Sequence, residues 1–419
     1  MGFGSAAALR ISNVMAHNPG RFLIVSAAVS NIGDGIQFSA LPLLAYSISE
    51  DPLFTASVAT ARVLPVVVFA LPVSAWLERF PPTLVMQTSL GIRAIGATAL
   101  SVLIATHSVP ILVLLLLTAV LGICDAAFDT TSSAAVVDVV VEESRHKYNG
   151  ALSFIQTFGV GLLGPLLGAA LFTMSAAAPF VTNAAMLAVA AIILLRGFGS
   201  AGLRSFGDAT QDESFARRIV TGIAVAVGSP LLRSLVILSA AWNLLGWIPE
   251  GVLVIFVRTD LHQSDFIYSV VLVTSALGSL AGAWVARFFG DRLDPRYILA
   301  LATPLYGLLF IPVAFLDSWV VISILFFVQG LPLMIWSIAV TTLRQNLVPR
   351  HQLVRVNSVF YLMAVGLAPV GLMIGPVIAH FVSVRGTFVA AGVLLIIAST
   401  PGFMILRQGP LLTSRVGTA

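Results

Sequence analysis

Long, nearly continuous apolar runs separated by short polar breaks set the pattern of this chain. A helix that crosses a bilayer needs about 20 mostly apolar residues. Twelve runs meet that length: residues 21–48, 53–79, 84–106, 109–140, 146–174, 177–196, 230–257, 264–288, 296–316, 318–345, 351–382 and 384–407. Several exceed a straight crossing, which implies tilt or extension beyond the bilayer. Turn and breaker signals separate them, as at Glu50-Asp51-Pro52, Phe80-Pro81-Pro82 and Asp294-Pro295. Only the connection from Gly197 to Arg218 is long and polar, and it divides the runs into two sets of six. The pattern predicts an all-α membrane protein of twelve transmembrane helices in two pseudo-symmetric six-helix bundles, residues 1–196 and 230–419. The intervening residues 197–229 read as a cytoplasmic linker, with an amphipathic surface helix over Ser214 to Gly228.

The two halves echo each other. Val140 to Gly150 stands opposite Val348 to Ser358, and in each a basic residue (Lys147, Arg355) lies two before the Asn that opens the next helix. Gly164-Pro165-Leu166-Leu167-Gly168 has a looser echo in Gly371 to Pro376. Parallel six-span repeats point to a transporter with its site at the repeat interface.

Composition makes the membrane reading firm. The chain is 58% hydrophobic and 10% charged, with mean hydropathy +1.01. A soluble domain carries about 25% charged residues, so a soluble fold of this size is excluded. The net charge of +4 does not signal nucleic acid, because the basic residues fall between apolar runs. Arg79, Arg145, Lys147, Arg196, Arg292 and Arg350 share one side of the twelve-span arrangement. Glu50, Asp51, Asp260, Asp265 and Asp317 occupy the other, with Arg258 and Arg385 as basic exceptions. The positive-inside rule then puts both termini in the cytoplasm. The N-terminus lacks a signal-peptide core, so the first run reads as an uncleaved helix. Cys124 is the single cysteine, which excludes an intrachain disulfide and a cysteine metal cluster. The histidines are scattered without ligand spacing. No Walker A, HExxH or GxSxG sequence occurs, so neither ATP hydrolysis nor these enzyme classes is indicated. Gly159 to Gly164 formally spells GxGxxG, but it follows no strand and lies in an apolar run.

The fourth run carries three acids, Asp125, Asp129 and Asp138. Asp125 and Asp129 are four apart and share one helix face. A charge at mid-bilayer costs at least about 2.5–3.5 kcal/mol on insertion scales, so it faces a cavity or a partner. Asp138 sits near the cytoplasmic end, where a solvated or loop-pairing role fits better.

Three fragments carry a resemblance across nearly the whole chain: Asn31-Ile32-Gly33-Asp34-Gly35-Ile36 with Ala40-Leu41-Pro42-Leu43, then Ala61-Arg62-Val63-Leu64-Pro65, then Leu347-Val348-Pro349 through Arg355-Val356-Asn357-Ser358. In order and spacing they resemble the major facilitator superfamily, in the twelve-span drug/proton antiporter branch that includes macrolide efflux pumps and the enterobactin exporter. The family's loop between the second and third helices survives only as Glu78-Arg79: Ser74 replaces its glycine and Pro82-Thr83 its basic pair. Gly164-Pro165-Leu166-Leu167-Gly168-Ala169 resembles the exporters' fifth-helix motif, with Ala169 for the final glycine. Gly164 and Gly168 also form a small-residue face suited to tight packing, and Pro165 can bend the helix.

The resemblance implies a central cavity lined by helices 1, 4, 7 and 10. Its candidate proton-binding acids are Asp34, Asp125, Asp129 and Glu250. A carboxylate in a low-dielectric surrounding holds its proton more tightly than in water, as a proton carrier must. The alternative is structural pairing, such as Asp34 with Arg62. Gln37, Arg62, Gln156, Trp242, Asn243, Trp247, Gln329, Met334 and Trp336 are candidate cavity residues. For the three tryptophans, packing or an interfacial belt is the competing reading. Glu78, Arg79, Gly164, Pro165 and Gly168 are candidate gating or motif residues. The expectation is a monomeric, multi-pass cell-membrane transporter without cofactor or metal. It would export an amphipathic drug, siderophore or secondary metabolite in exchange for protons or another cation. An importer or facilitator on the same fold is the alternative; a nontransporting receptor or membrane enzyme is a more distant one.

Overall fold

The computed structural model describes residues 19–77, 80–139, 142–198, 215–289, 294–349 and 352–407, and every regular element among them is helical. The first half comprises α1 (Pro19–Ile48), α2 (Pro52–Leu77), α3 (Pro82–Ala105), α4 (Ile111–Val139), α5 and α6 (Ala178–Phe198). Helix α5 runs through Glu142–Phe158, a π-helical turn at Gly159–Leu163, and Gly164–Met174. A short helix α7 (Phe215–Gly228) follows. Helix α8 begins as Pro230–Gly246 and continues through a 3-10 turn (Pro249–Val252), Leu253–Ile255 and a π-helical turn (Phe256–Asp260). The remaining elements are α9 (Asp265–Phe289), α10 (Pro295–Phe310), α11 (Trp319–Leu347), α12 (Leu353–Phe381), α13 (Val384–Ile397) and α14 (Thr400–Arg407).

Ten of these stretches, from α3 onward, are long and apolar enough to cross a membrane. Helices α1 and α2, of 30 and 26 residues, bring the long helical stretches to twelve among the described residues. Asn31, Asp34 and Gln37 dilute the apolarity of α1. The twelfth run is broken after Ile397, so α13 and α14 share it. The chain forms two compact units, one of residues 1–48 and 61–210, the other of residues 49–60 and 211–419.

In the first unit, α1 packs on α5 and α6, and α3 packs on α4 and α6. Leu23, Met86, Leu90, Phe128 and Leu187 fill the core, while Ile95, Leu112 and Phe154 stay exposed on the perimeter, as lipid-facing side chains do. Glycine permits the α1–α5 approach: a Cβ on Gly164 would strike the backbone of Gly35, and one on Gly168 would strike Ile36. The Ser39 hydroxyl donates to the Pro165 carbonyl at 3.2 Å across this seam. Pro165 has no N–H to give, and the Gly164 N–H reaches back to the Gly159 carbonyl. The bend expected at this proline is therefore a one-turn widening of α5.

In the second unit, a matching seam joins α12 to α8. Gly371 lies on the Leu244 carbonyl, Gly375 on the Ile248 carbonyl, and Gly251 on the Leu372 carbonyl. The echo of Gly164 to Gly168 in Gly371 to Pro376 thus serves the same contact. Helix α9 meets α11 through Gly278 and Gly330, each lying on the other helix's backbone. The linker helix α7 docks on α12, with Gly222 against the Arg355 carbonyl and Val359. The break in α8 falls after Gly246, just before Pro249.

The two basic exceptions to the charge pattern have acid partners here. Arg258 pairs with Asp265 at 3.3 Å. Arg385 pairs with Asp260 at 3.3 Å and Asp317 at 2.6 Å, and donates to the Ala314 and Leu316 carbonyls at 3.1 and 3.3 Å. One guanidinium therefore ties the start of α13 to the ends of α8 and α10.

Gly164→Leu should destabilise the first unit by at least about 1–3 kcal/mol, because backbone rather than a flexible side chain blocks the added atoms; a lower melting temperature in detergent checks this. At the second unit's tie, Arg385→Ala should cost about 1–3 kcal/mol by orphaning Asp260 and two carbonyls. Asp317→Asn, at an acid 86% exposed, should cost only about 0–1 kcal/mol. Equal melting shifts for these two variants would contradict the assignment.

Candidate functional site

Four charged side chains from four helices meet inside the first unit. Arg93 on α3 forms an ion pair with Asp34 on α1 and lies 3.4 Å from Asp125 on α4. Arg62 on α2 donates to the other Asp125 oxygen at 2.9 Å. The order is Asp34, Arg93, Asp125, Arg62, and the formal charges cancel. Gly122 explains the last link: without a side chain, α4 lies against the Arg62 carbonyl three residues before Asp125. Ser30, one turn before Asp34, accepts from Arg93 and donates to Asp34, each at 3.3 Å.

This arrangement corrects one pairing expected from sequence. Asp34 is bound to Arg93, and Arg62 belongs to Asp125. Arg93 was not among the sequence candidates, although a lone arginine in the apolar run 84–106 is itself a signal. Asp125 and Asp129 do share a face, and the Gln156 amide donates to Asp129 at 3.2 Å. Gln37 is buried, and its carbonyl accepts from Asn183 on α6 at 2.5 Å. Glu78 and Arg79 lie outside the described residues, and so does the side chain of Asp138.

Exposure is graded along the chain of charges. The side chains of Arg93 and Asp34 are 2% and 6% exposed, whereas those of Arg62 and Asp125 are 17% and 22% exposed. One end is sealed and the other is partly exposed. A cavity of about 560 Å³ elsewhere in this unit, lined by Leu44, Ser47, Ile104, His107 and Ala176 among others, holds none of the candidate residues.

The second unit builds the equivalent helix crossing without ions. Arg93 stands eleven residues after Pro82, the first residue of α3, and Tyr306 stands eleven after Pro295, the first of α10. Gly168 seats on Ile36 and Gly375 on Ile248. Counting back two residues from each isoleucine gives Asp34 and Gly246; counting back six gives Ser30 and Trp242. The contacts follow this correspondence. Arg93 meets Asp34 and Ser30, while Tyr306 lies over Gly246 and stacks on Trp242, with ring centres 4.4 Å apart.

Trp242 also stacks on Trp336 at 4.4 Å, and both are buried in that unit's core. Gln329 is buried on α11, Met334 and Trp247 are half-buried, and Asn243 donates to the Ser239 carbonyl at 2.9 Å. Half-buried Glu250 occupies the 3-10 turn after Pro249, within electrostatic reach of Tyr268 and Tyr306. It makes no hydrogen bond or ion pair among the described residues. Glu250 thus lies in a different unit from Asp34, Asp125 and Asp129. No cluster of three or more potential metal ligands occurs among the described residues.

The family model of the Major Facilitator Superfamily matches residues 23–250 and again 244–416. The chain belongs to the Major Facilitator Superfamily. It is a multi-pass membrane transporter and not an enzyme. Among its relatives in this superfamily is the uncharacterized MFS-type transporter YfmI of Bacillus subtilis (strain 168), 23% identical over 300 residues, covering 67% of this chain and 69% of that protein. Another is the putative multidrug resistance protein MdtD of Escherichia coli O81 (strain ED1a), 26% identical over 409 residues, covering 83% of each. The superfamily fold recurs in the crystal structure of the nucleoside transporter NupG, with a TM-score of 0.73 at 12% identity, covering 94% of this chain and 100% of that one. It recurs also in a bacterial homologue of the lysosomal transporter Spinster, with a TM-score of 0.71 at 16% identity, covering 93% and 97%.

The Arg62–Asp125 link should show in a double-mutant cycle. Asp125→Asn and Arg62→Gln should each lower the melting temperature, and the double variant should recover part of the sum, with a coupling of about 1–3 kcal/mol. Strict additivity would mean that the two groups do not interact.

Proposed function

We propose that this transporter exports an amphipathic small molecule in exchange for protons, by alternating access, from a cell membrane with both termini in the cytoplasm. One observation above all supports the reading. The first unit buries Asp34 with Arg93, and joins them to the half-buried Asp125 and Arg62, where the second unit sets Gly246 and Tyr306 in place of the first pair. Buried ion pairs are costly to assemble, and apolar replacements are often as stable. A chain that needed only to pack these helices already has an uncharged solution in its own other half. Ionisable groups kept in the apolar layer are therefore assigned to coupling.

In this reading Asp125 and Asp129 exchange protons with water, Arg62 and Arg93 set the field around them, and Gln156 orients Asp129. Glu250 is a separate acid of the second unit that takes up a proton. Asn243, Trp247 and Met334, half-buried and chemically mixed, suit a bulky amphipathic substrate through stacking and adaptable packing. Trp242, Trp336 and Gln329 support them from within the unit. Export is favoured by the Gly164 to Ala169 motif and by the likeness to MdtD, a putative multidrug resistance protein. The six-helix halves are assigned to residues 1–196 and 230–419, with 197–229 as the linker. The chain acts as a monomer and needs neither cofactor nor nucleic acid.

A screen of amphipathic compounds in inverted vesicles, with intravesicular pH followed at the same time, tests direction and coupling together. For a transported compound, Asp125→Asn should reduce gradient-driven uptake about tenfold or more, as expected when an ionisable group in the transport path is neutralised. The variant should still fold. Undiminished pH-driven transport by it would remove Asp125 from the mechanism.

A further inference from the structure

We infer that Arg93 is the positioning residue of the coupling site: of the two acids it touches, it keeps Asp34 as its fixed counter-ion and leaves Asp125 to exchange a proton with water. The inference rests on the proton-coupled reading above and adds a division of labour among its acids.

Hydrogen bonding separates the two carboxylates. Both oxygens of Asp34 are engaged, one by the Arg93 guanidinium and the other by the Ser30 hydroxyl. A second guanidinium nitrogen of Arg93 holds that same hydroxyl. Arginine, serine and carboxylate form a closed ring, sealed from solvent at both charged members. Asp125 sits on the open side of this ring. One of its oxygens takes the Arg62 hydrogen bond at 2.9 Å, and the other is 3.4 Å from Arg93. Its side chain is 22% exposed, so a proton need not cross the sealed ring to reach it. The charged and titratable groups around it are Arg62 on α2, Arg93 on α3, and Cys124 and Asp129 on α4, with Asp34 on α1 beyond Arg93.

The consequences of protonation differ between the acids. A proton taken up by an Asp125 oxygen weakens its hold on Arg62 and Arg93. Arg93 keeps Asp34, and Arg62 remains on the partly exposed side. No sealed charge is left without its partner. A proton on Asp34 would strand Arg93, at 2% exposure, with only the longer contact to Asp125. Leaving one member of a buried pair uncompensated is strongly destabilising. The second unit shows that this ring is dispensable for packing, since Tyr306, Gly246 and Trp242 fill the equivalent crossing.

Infrared difference spectroscopy of the full chain in liposomes, titrated with pH and without substrate, reads protonated carboxyl groups directly. The wild-type protein should lose a carboxyl stretching band as pH rises. Asp125→Asn should remove one component of that band and Asp34→Asn should remove none. Arg93→Gln should add a further titrating carboxyl that is absent from Arg93→Gln combined with Asp34→Asn, whereas Arg93→Lys should keep the wild-type pattern. Should Arg93→Gln fail to fold, Arg93→Tyr combined with Asp34→Gly installs the pair used by the other half. It should fold and move the titration midpoint of the Asp125 band. A wild-type band that Asp34→Asn removes, an unchanged number of titrating carboxyls in Arg93→Gln, or an unmoved midpoint in the tyrosine variant would each overturn the inference while leaving proton coupling intact. A wild-type protein with no titrating carboxyl would instead overturn the proton-coupled reading beneath it.

Discussion

Hydrocarbon offers no hydrogen bonds, and the rest of this molecule answers to that fact. Every backbone amide in the apolar layer must find its partner within the chain, which makes the spanning segments helical. Every charge there must find a partner as well or face a watery surface. Arg93 and Asp34 meet the second demand in its strictest form. They are held together through Ser30 in a sealed ring that links α1 to α3. Asp125 and Arg62 meet it more loosely, at a partly exposed place.

The two halves solve the same packing problem with different side chains. Both use glycine where a fifth helix of the half lies on the first, at Gly164 and Gly168 in α5 and at Gly371 and Gly375 in α12. Without a strong hydrophobic drive between helices in lipid, such close backbone approach supplies the association energy. The polar content then diverges: ions bridge α1 and α3, whereas Trp242 and Tyr306 bridge α8 and α10. This divergence leaves the two halves with different material, charge in one and stacked aromatic rings in the other. It also explains why a repeat visible at Val140 to Gly150 and Val348 to Ser358 fades in the helix interiors.

Charge follows the same economy outside the apolar layer. Arg258 and Arg385 break the segregation of basic residues, yet each is bound by acids of neighbouring loops in its own unit. In the loop before α10, Asp294 caps the helix by accepting from the Arg296 amide. The hydrogen-bonded Arg296 guanidinium holds this carboxyl below the usual carboxylate range.

The sequence by itself determined the all-helical membrane fold, the twelve spans and the superfamily, because the length and apolarity of each run are local properties that a bilayer reads one segment at a time. It also determined that Asp125 and Asp129 share a face, since helical periodicity fixes neighbours within one helix. Partners on different helices were another matter. Whether Asp34 met Arg62 or Arg93 depended on helix rotation and depth, and these are set by glycine contacts such as Gly122 on α2 and Gly164 on α1. Likewise, the sequence offered Trp242 and Trp336 as cavity linings or packing, and the fold stacked them in a core. Only the tertiary structure decided which charges neutralise each other, because ion pairing between helices depends on three-dimensional proximity that no spacing along the chain encodes.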